Sequence, residues 1–171
     1  MGLVHIYCGD GKGKTSAAVG LSVRAAGRGM RTVMARFLKT DDSGEVAALK
    51  QIPQILVLPC EETFGFVFSM DEETRRRAAV YYEALFRKAV EMAADCDLLI
   101  LDEIMAAVRY EMVPLSLVTG FLDARPDGLE VVMTGRDPAK ELLDRADYVS
   151  EIRKVKHPFD HGISARKGIE Y

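Results

Sequence analysis

The sequence predicts an α/β fold, a mostly parallel central sheet of about six strands flanked by helices. Three observations carry that expectation. Short apolar, strand-like runs alternate with helical patterns along the chain, as in a parallel sheet covered by helices. The first run, Gly2-Leu3-Val4-His5-Ile6-Tyr7, leads through Cys8-Gly9-Asp10-Gly11-Lys12-Gly13-Lys14-Thr15 into the helical pattern Ser16–Val23. Strand, glycine-rich turn, Lys-Thr and helix is the context of a phosphate-binding loop. Finally, Leu98-Leu99-Ile100-Leu101 is apolar without alternation, as expected of a strand buried on both faces, and it ends in Asp102-Glu103.

The elements follow in order. Leu3–Tyr7 is the first strand and Lys14–Gly27 the first helix; Gly27-Arg28-Gly29 then turns the chain into a second strand, Thr32–Phe37. Lys39–Gly44 is polar and turn-like, Glu45–Gln51 suits a short helix, and Ile55–Leu58 reads as a third strand after Pro53. Glu61–Phe68 is irregular and aromatic. A long helix then runs to about Ala94, opened by a capping box at Ser69-Met70-Asp71-Glu72 and supported by Glu72/Arg76 and Glu73/Arg77 pairs. Its predicted buried stripe is Ala78, Tyr82, Leu85, Phe86, Ala89 and Met92. After the Leu98 strand, Pro114 opens a helix ending near Ala124. Pro126-Asp127-Gly128 turns into strand Glu130–Thr134, Asp137–Arg145 is helical, and Tyr148–Ile152 is the last strand. The tail from Lys154 is polar and basic. No repeat or linker divides the chain, so residues 1–171 are expected to form one nucleotide-binding domain.

Composition excludes several classes of function. The chain is 49% apolar and 29% charged, ordinary for a globular protein, and its net charge of −3 argues against binding nucleic acid by overall charge. No apolar run approaches a membrane span, and the first residues enter a strand rather than a signal peptide. Cys8, Cys60 and Cys96 are odd in number and lack C-x-x-C spacing. They read as reduced thiols of a cytoplasmic protein, two of them in or near the core. His157 and His161 are separated by Pro158, which disfavours the helix that would align them on a metal; His5 reads as a packed strand histidine.

The loop chemistry is local. Glycines at 9, 11 and 13 let backbone N–H groups converge on anionic oxygens, and the helix beginning near Lys14 points its positive end at the same place. A helix terminus supplies roughly 0.3–1 kcal/mol, whereas a full charge at about 4 Å is worth on the order of 4 kcal/mol at an effective dielectric near 20. Lys14 and a metal ion therefore dominate affinity, while Gly9, Asp10, Gly11, Lys12, Gly13 and Ser16 shape the cradle. Thr15, Asp102 and Glu103 offer the hard oxygen donors that Mg²⁺ prefers. Arg24, Arg136 and Arg166, with Lys167, are further candidates for phosphate contact. One departure stands out: the strict G-x-x-x-x-G-K-[ST] pattern has glycine where this chain has Cys8. These features alone suit any P-loop nucleotide enzyme, including an ATPase or kinase in which Glu103 activates water or Asp102 holds the metal. A binding module that has kept the fold without catalysis is the non-enzymatic alternative.

The rest of the chain narrows the choice. Gly9-Asp10-Gly11-Lys12-Gly13-Lys14-Thr15-Ser16-Ala17-Ala18 and Arg24-Ala25-Ala26-Gly27-Arg28-Gly29 are followed by Phe37-Leu38-Lys39, Leu101-Asp102-Glu103 and Thr134-Gly135-Arg136. The series ends with Val155-Lys156-His157-Pro158-Phe159-Asp160, Gly162-Ile163 and Ala165-Arg166-Lys167-Gly168-Ile169-Glu170-Tyr171. In this order, over nearly the whole chain, it resembles the P-loop type of ATP:corrinoid adenosyltransferases. The C-terminal block is the most specific part, since no general rule of nucleotide binding demands it.

The resemblance implies a RecA-like P-loop fold, ATP as adenosyl donor with Mg²⁺, a corrinoid acceptor, a homodimer, and an electron donor such as a flavoprotein. It implies transfer of the 5′-deoxyadenosyl group to Co(I) with release of triphosphate. Co(I) is itself a strong nucleophile, so no activated serine, cysteine or general base is needed, and the sequence offers none. Enzymes of this kind press apolar side chains on the lower corrinoid face, which excludes the axial ligand and eases reduction. By alignment of Gly65-Phe66-Val67-Phe68, that role falls to Phe66 and Phe68. Phe68 stands where well-known members have Trp, Arg36 where the family often has Gln, and many members carry an additional N-terminal helical segment over the corrinoid. Catalytic weight is thus expected on Lys14, Phe66 and Phe68.

Overall fold

In the computed structural model, which describes residues 1–65 and 67–170, six strands form one all-parallel sheet in the order β3-β2-β4-β5-β1-β6. The strands are β1 (Val4–Cys8), β2 (Thr32–Arg36), β3 (Ile55–Val57), β4 (Leu98–Asp102), β5 (Glu130–Thr134) and β6 (Tyr148–Glu151). The helices are α1 (Lys14–Ala26), α2 (Gly44–Leu49), α3 (Glu72–Ala93), α4 (Ile104–Arg109), α5 (Leu115–Ala124) and α6 (Lys140–Leu143). The α/β prediction therefore holds in strand number and direction.

Strand alternation sorts the core into two layers. Leu99 and Leu101 of β4 join Val33, Ala35, Val131 and Met133 against α3, α4 and α5, while Leu98 and Ile100 join Met34 and Val132 against Ala18 and Ala25 of α1. Because β4 is buried on both faces, every one of its residues is occluded, which is why its sequence shows no polar alternation.

Some local expectations are revised. Asp71, not Ser69, caps α3: its carboxylate accepts the Thr74 N–H at 2.8 Å, and Ser69 sits in a 3-10 turn spanning Val67–Ser69. Arg77 pairs with Glu62 at 3.2 Å instead of Glu73, while Arg76–Glu72 lies at 3.9 Å between two exposed side chains and contributes little. The buried stripe closes on Ala93, because the step of four from Ala89 keeps the inner face and the step to Met92 leaves it. The helix predicted over Asp137–Arg145 shortens to α6, since the residue preceding Pro138 is pushed out of the helical region. Helix α4 was not anticipated: at six residues it is too short to show a helical period.

Among the described residues, no helix is long and apolar enough to cross a membrane. Cys8 is buried while Cys60 and Cys96 are half-buried, and all three are free thiols. Burial pushes each of these thiols above its ordinary pKa, so none is poised as a thiolate.

Candidate functional site at the carboxyl ends of the strands

In a parallel sheet every strand delivers its last residue to the same edge, and here that edge gathers the candidate residues. The phosphate loop follows β1. Cys8 closes β1 as a buried strand residue, so its side chain belongs to the core and not to the loop; this accounts for tolerance of a Cβ there. The loop proper starts at Gly9, whose φ of 99° and close approach to the Ile152 carbonyl leave no room for a side chain. Gly11 N–H donates to the same carbonyl at 2.7 Å, so the residue following β6 braces the loop.

Lys14 folds over this cradle, with Nζ donating to the Gly9 and Gly11 carbonyls at 2.8 Å each. Burial lowers its pKa, against the raising influence of the Glu103 carboxylate, and Arg136 lowers it further. Glu103 is displaced upward, chiefly by burial, with Lys39 opposing and Asp102 adding to the shift. It stands at the start of α4 in a left-handed conformation, φ 63°, immediately after the strand.

Asp102 is fully buried at the end of β4. Strand β5 lies between β4 and β1, so contact with the phosphate loop is made through the first turn of α1. Thr15 donates its hydroxyl to Asp102 Oδ1 at 3.0 Å, and Thr134 of β5 donates to the same oxygen at 2.7 Å. Lys39 completes the cluster, with Nζ 2.8 Å from Thr15 Oγ1 and 2.5 Å from Asp102 Oδ2. The donor set, one hydroxyl and one carboxylate already holding a cationic head, fits a hard divalent cation.

Among the described residues, three cavities on this edge bear on the site. One of about 350 Å³ is lined by the loop residues 10–16 with Glu103, Arg136, His157 and Glu170. A second, of about 390 Å³, is lined by Leu38, Val67, Phe68, Tyr110, Glu103 and Arg136, and Phe68 is 85% exposed beside it. The third and largest, about 830 Å³, lies between α1 and residues 38–45, and Thr15, Ser16 and the tail residues Gly168–Glu170 line it. Phe66 lies outside the described residues.

The tail crosses the phosphate loop. Lys12 Nζ donates to the Ile169 carbonyl at 2.9 Å and lies 3.5 Å from Glu170, which in turn binds Arg166. Arg166 and its backbone N–H hold the Glu170 carboxyl down at about 2. Asp10 Oδ1 accepts the Lys154 N–H, tying the start of the tail to the loop. Among the described residues, Arg136 donates to the Asp10 carbonyl at 3.5 Å. Arg24, in contrast, sits exposed in the last turn of α1 and lines none of these cavities.

Residues 1–171 match the sequence profile described as ATP:corrinoid adenosyltransferase BtuR/CobO/CobP. The chain belongs to that family. It is 38% identical to the corrinoid adenosyltransferase CobA of Salmonella typhimurium over 99% of this chain and 86% of the relative. Identity is 36% with the corrinoid adenosyltransferase of Escherichia coli K12, at the same two coverages, and 34% with that of Pseudomonas aeruginosa, over 99% and 84%. For this adenosyltransferase the resemblance read from the C-terminal block and the phosphate loop therefore stands.

Four residues of the site were not singled out as site residues from the sequence. Lys39 and Thr134 each stand at or just past the end of a strand on the ligand edge, a positional signal that was available. Glu170 lies in the C-terminal block that carries the family resemblance, but its own contact with the loop has no local signal. Gly135 belongs here too: its φ is 145°, and an added Cβ would lie 2.5 Å from Met105 Cβ. Gly135→Ala is expected to destabilise by about 2–5 kcal/mol through strain and overpacking, read as a lowered thermal midpoint.

Proposed function

We propose that this adenosyltransferase binds the ATP triphosphate in the loop of residues 9–16 and a Co(I) corrinoid beside Phe68, and joins cobalt to the ribose C5′. The supporting observation is that Glu103 and Arg136 line both the loop cavity and the Phe68 cavity, so a sugar leaving the first enters the second. Cobalt attacks C5′, the Co–C bond forms as the C5′–O bond breaks, and triphosphate leaves with the electron pair. The protein's part is placement and charge. Lys14 and Lys12 neutralise the triphosphate; loop N–H groups and the α1 terminus orient it. Thr15 and Asp102, with Glu103 nearby, would hold Mg²⁺, which supplies further charge to the leaving group. Arg136, between the two cavities, is suited to the phosphate nearest the sugar, and Arg166 to the outer end of the chain. Arg24, which lines none of these cavities, is assigned no comparable role. Phe66 and Phe68 would cover the lower corrinoid face. Cytoplasmic location, a homodimer and a flavoprotein electron donor complete the reading.

An anaerobic incubation with ATP, Mg²⁺ and chemically reduced corrinoid tests it. Formation of the Co–C bond, seen in the visible spectrum, together with one triphosphate per turnover is expected. ADP plus phosphate without a spectral change would replace the proposal with γ-phosphate chemistry. Phe68→Ala is expected to lower the rate about tenfold, or ~1.4 kcal/mol, when the enzyme must bind Co(II) for reduction. With corrinoid supplied as Co(I), its rate should stay within about twofold.

A further inference from the structure

Lys39 stands in a place that the phosphate loop alone does not require. Its ammonium bridges Thr15 Oγ1 at 2.8 Å and Asp102 Oδ2 at 2.5 Å, the two oxygens suited to a divalent cation. Asp102 is wholly buried, and its other oxygen is filled by the Thr15 and Thr134 hydroxyls. The carboxylate therefore has room for one cation, and a lysine supplies it. Lys39 is positioned for this by the preceding residue: Leu38 adopts a φ of 55°, a conformation that leucine rarely takes, directly after β2. The Lys39 side chain is a quarter exposed, and the residue lines both the largest cavity and the one beside Phe68.

We propose that Lys39 and the divalent cation are alternative occupants of the Thr15–Asp102 pair. A metal ligand approaches to about 2.0–2.1 Å, so an ion on those oxygens and an ammonium on the same oxygens exclude each other by contact and by like charge. Arrival of the metal with ATP displaces Lys39 into the space of the two cavities it lines. There it brings a second positive charge to the departing triphosphate. Lys39 is thus a positioning residue that couples metal entry to neutralisation of the leaving group. The proposal rests on the adenosyl-transfer reading above, but its test does not use turnover.

The experiment titrates Mn²⁺ into the full-length protein without nucleotide or corrinoid, following free Mn²⁺ by electron paramagnetic resonance. Lys39→Met and Lys39→Gln are each expected to bind one Mn²⁺ at least tenfold more tightly than the unaltered protein. The glutamine variant keeps a hydrogen-bond donor on Asp102 and guards against misfolding. The gain should vanish when Asp102→Asn is added to either variant. Equal or weaker Mn²⁺ binding in both variants overturns the proposal, as does a gain that survives Asp102→Asn. Adenosylation by the unaltered protein is scored separately: failure there removes the proposed reaction, whereas unchanged Mn²⁺ affinity removes only the role of Lys39.

Discussion

Lys14→Ala should lower kcat/KM for ATP about a thousandfold in the triphosphate-release assay. The estimate follows from removing one full charge at about 4 Å, on the order of 4 kcal/mol at an effective dielectric near 20, with each ~1.4 kcal/mol worth tenfold. The side chain is well placed for so large an effect. It is held over the loop by two carbonyls, is partly withdrawn from solvent, and faces the cavity lined by Glu103 and Arg136. Burial holds its ammonium below the ordinary pKa of 10.5, with the Glu103 carboxylate opposing that shift. The fold should survive, because the loop is also braced by the Gly11 N–H on the Ile152 carbonyl at 2.7 Å. If Lys14→Ala retains full turnover, the loop of residues 9–16 does not hold the leaving group.

The second large effect concerns stability. Asp41→Asn is expected to lower the unfolding free energy by about 3–5 kcal/mol, which in a chain of this length moves the thermal midpoint by roughly 6–20 °C. Arg36 is the reason. It is almost wholly buried, donates to the Thr40 carbonyl at 2.7 Å and to Cys60 Sγ at 3.3 Å, and pairs, among the described residues, with the Asp41 carboxylate. Among the described residues its Nε has no partner, so the guanidinium depends on that carboxylate for compensation. Neutralising Asp41 strands a charge in the core.

The pH dependence has a definite sign. Burial would raise the Asp41 carboxyl, but the Cys60 N–H and the Arg36 guanidinium outweigh it and hold the group below its ordinary value of 3.8. A folded-state pKa below the unfolded one contributes stability above the unfolded value, and that contribution fades as pH falls through the folded value. The gap between unaltered protein and Asp41→Asn should therefore be full at pH 7 and shrink only below about pH 4. A gap that is constant down to pH 2, or absent at pH 7, would show that Arg36 does not rely on this pair.

Arg36 also illustrates how far the sequence carries. From the sequence it registers as a departure from a frequent glutamine, and nothing around it reveals that the following loop folds back to supply Asp41. The phosphate loop differs, since glycine spacing, Lys-Thr and the flanking strand and helix encode a local conformation. Local signals also fix the strands: β2, β4 and β5 were read within a residue of their ends because buried parallel strands are continuous apolar runs. Helix α4 and the shortened α6 escaped, the first for lack of length and the second through the reach of Pro138.

Sequence by itself determined the strand–loop–helix of the phosphate site, the acid pair at the end of β4, the alternating α/β order and the family. Each is written in neighbouring residues or in an ordered series of short blocks. Tertiary structure alone decided that Lys39 shares Thr15 with Asp102, residues 24 to 87 positions apart, and that Glu170 meets Lys12 across the loop. It decided too that Arg24 lines none of the three cavities at the strand ends. Contacts between distant segments depend on sheet order and crossover geometry, and no local pattern of residues records either.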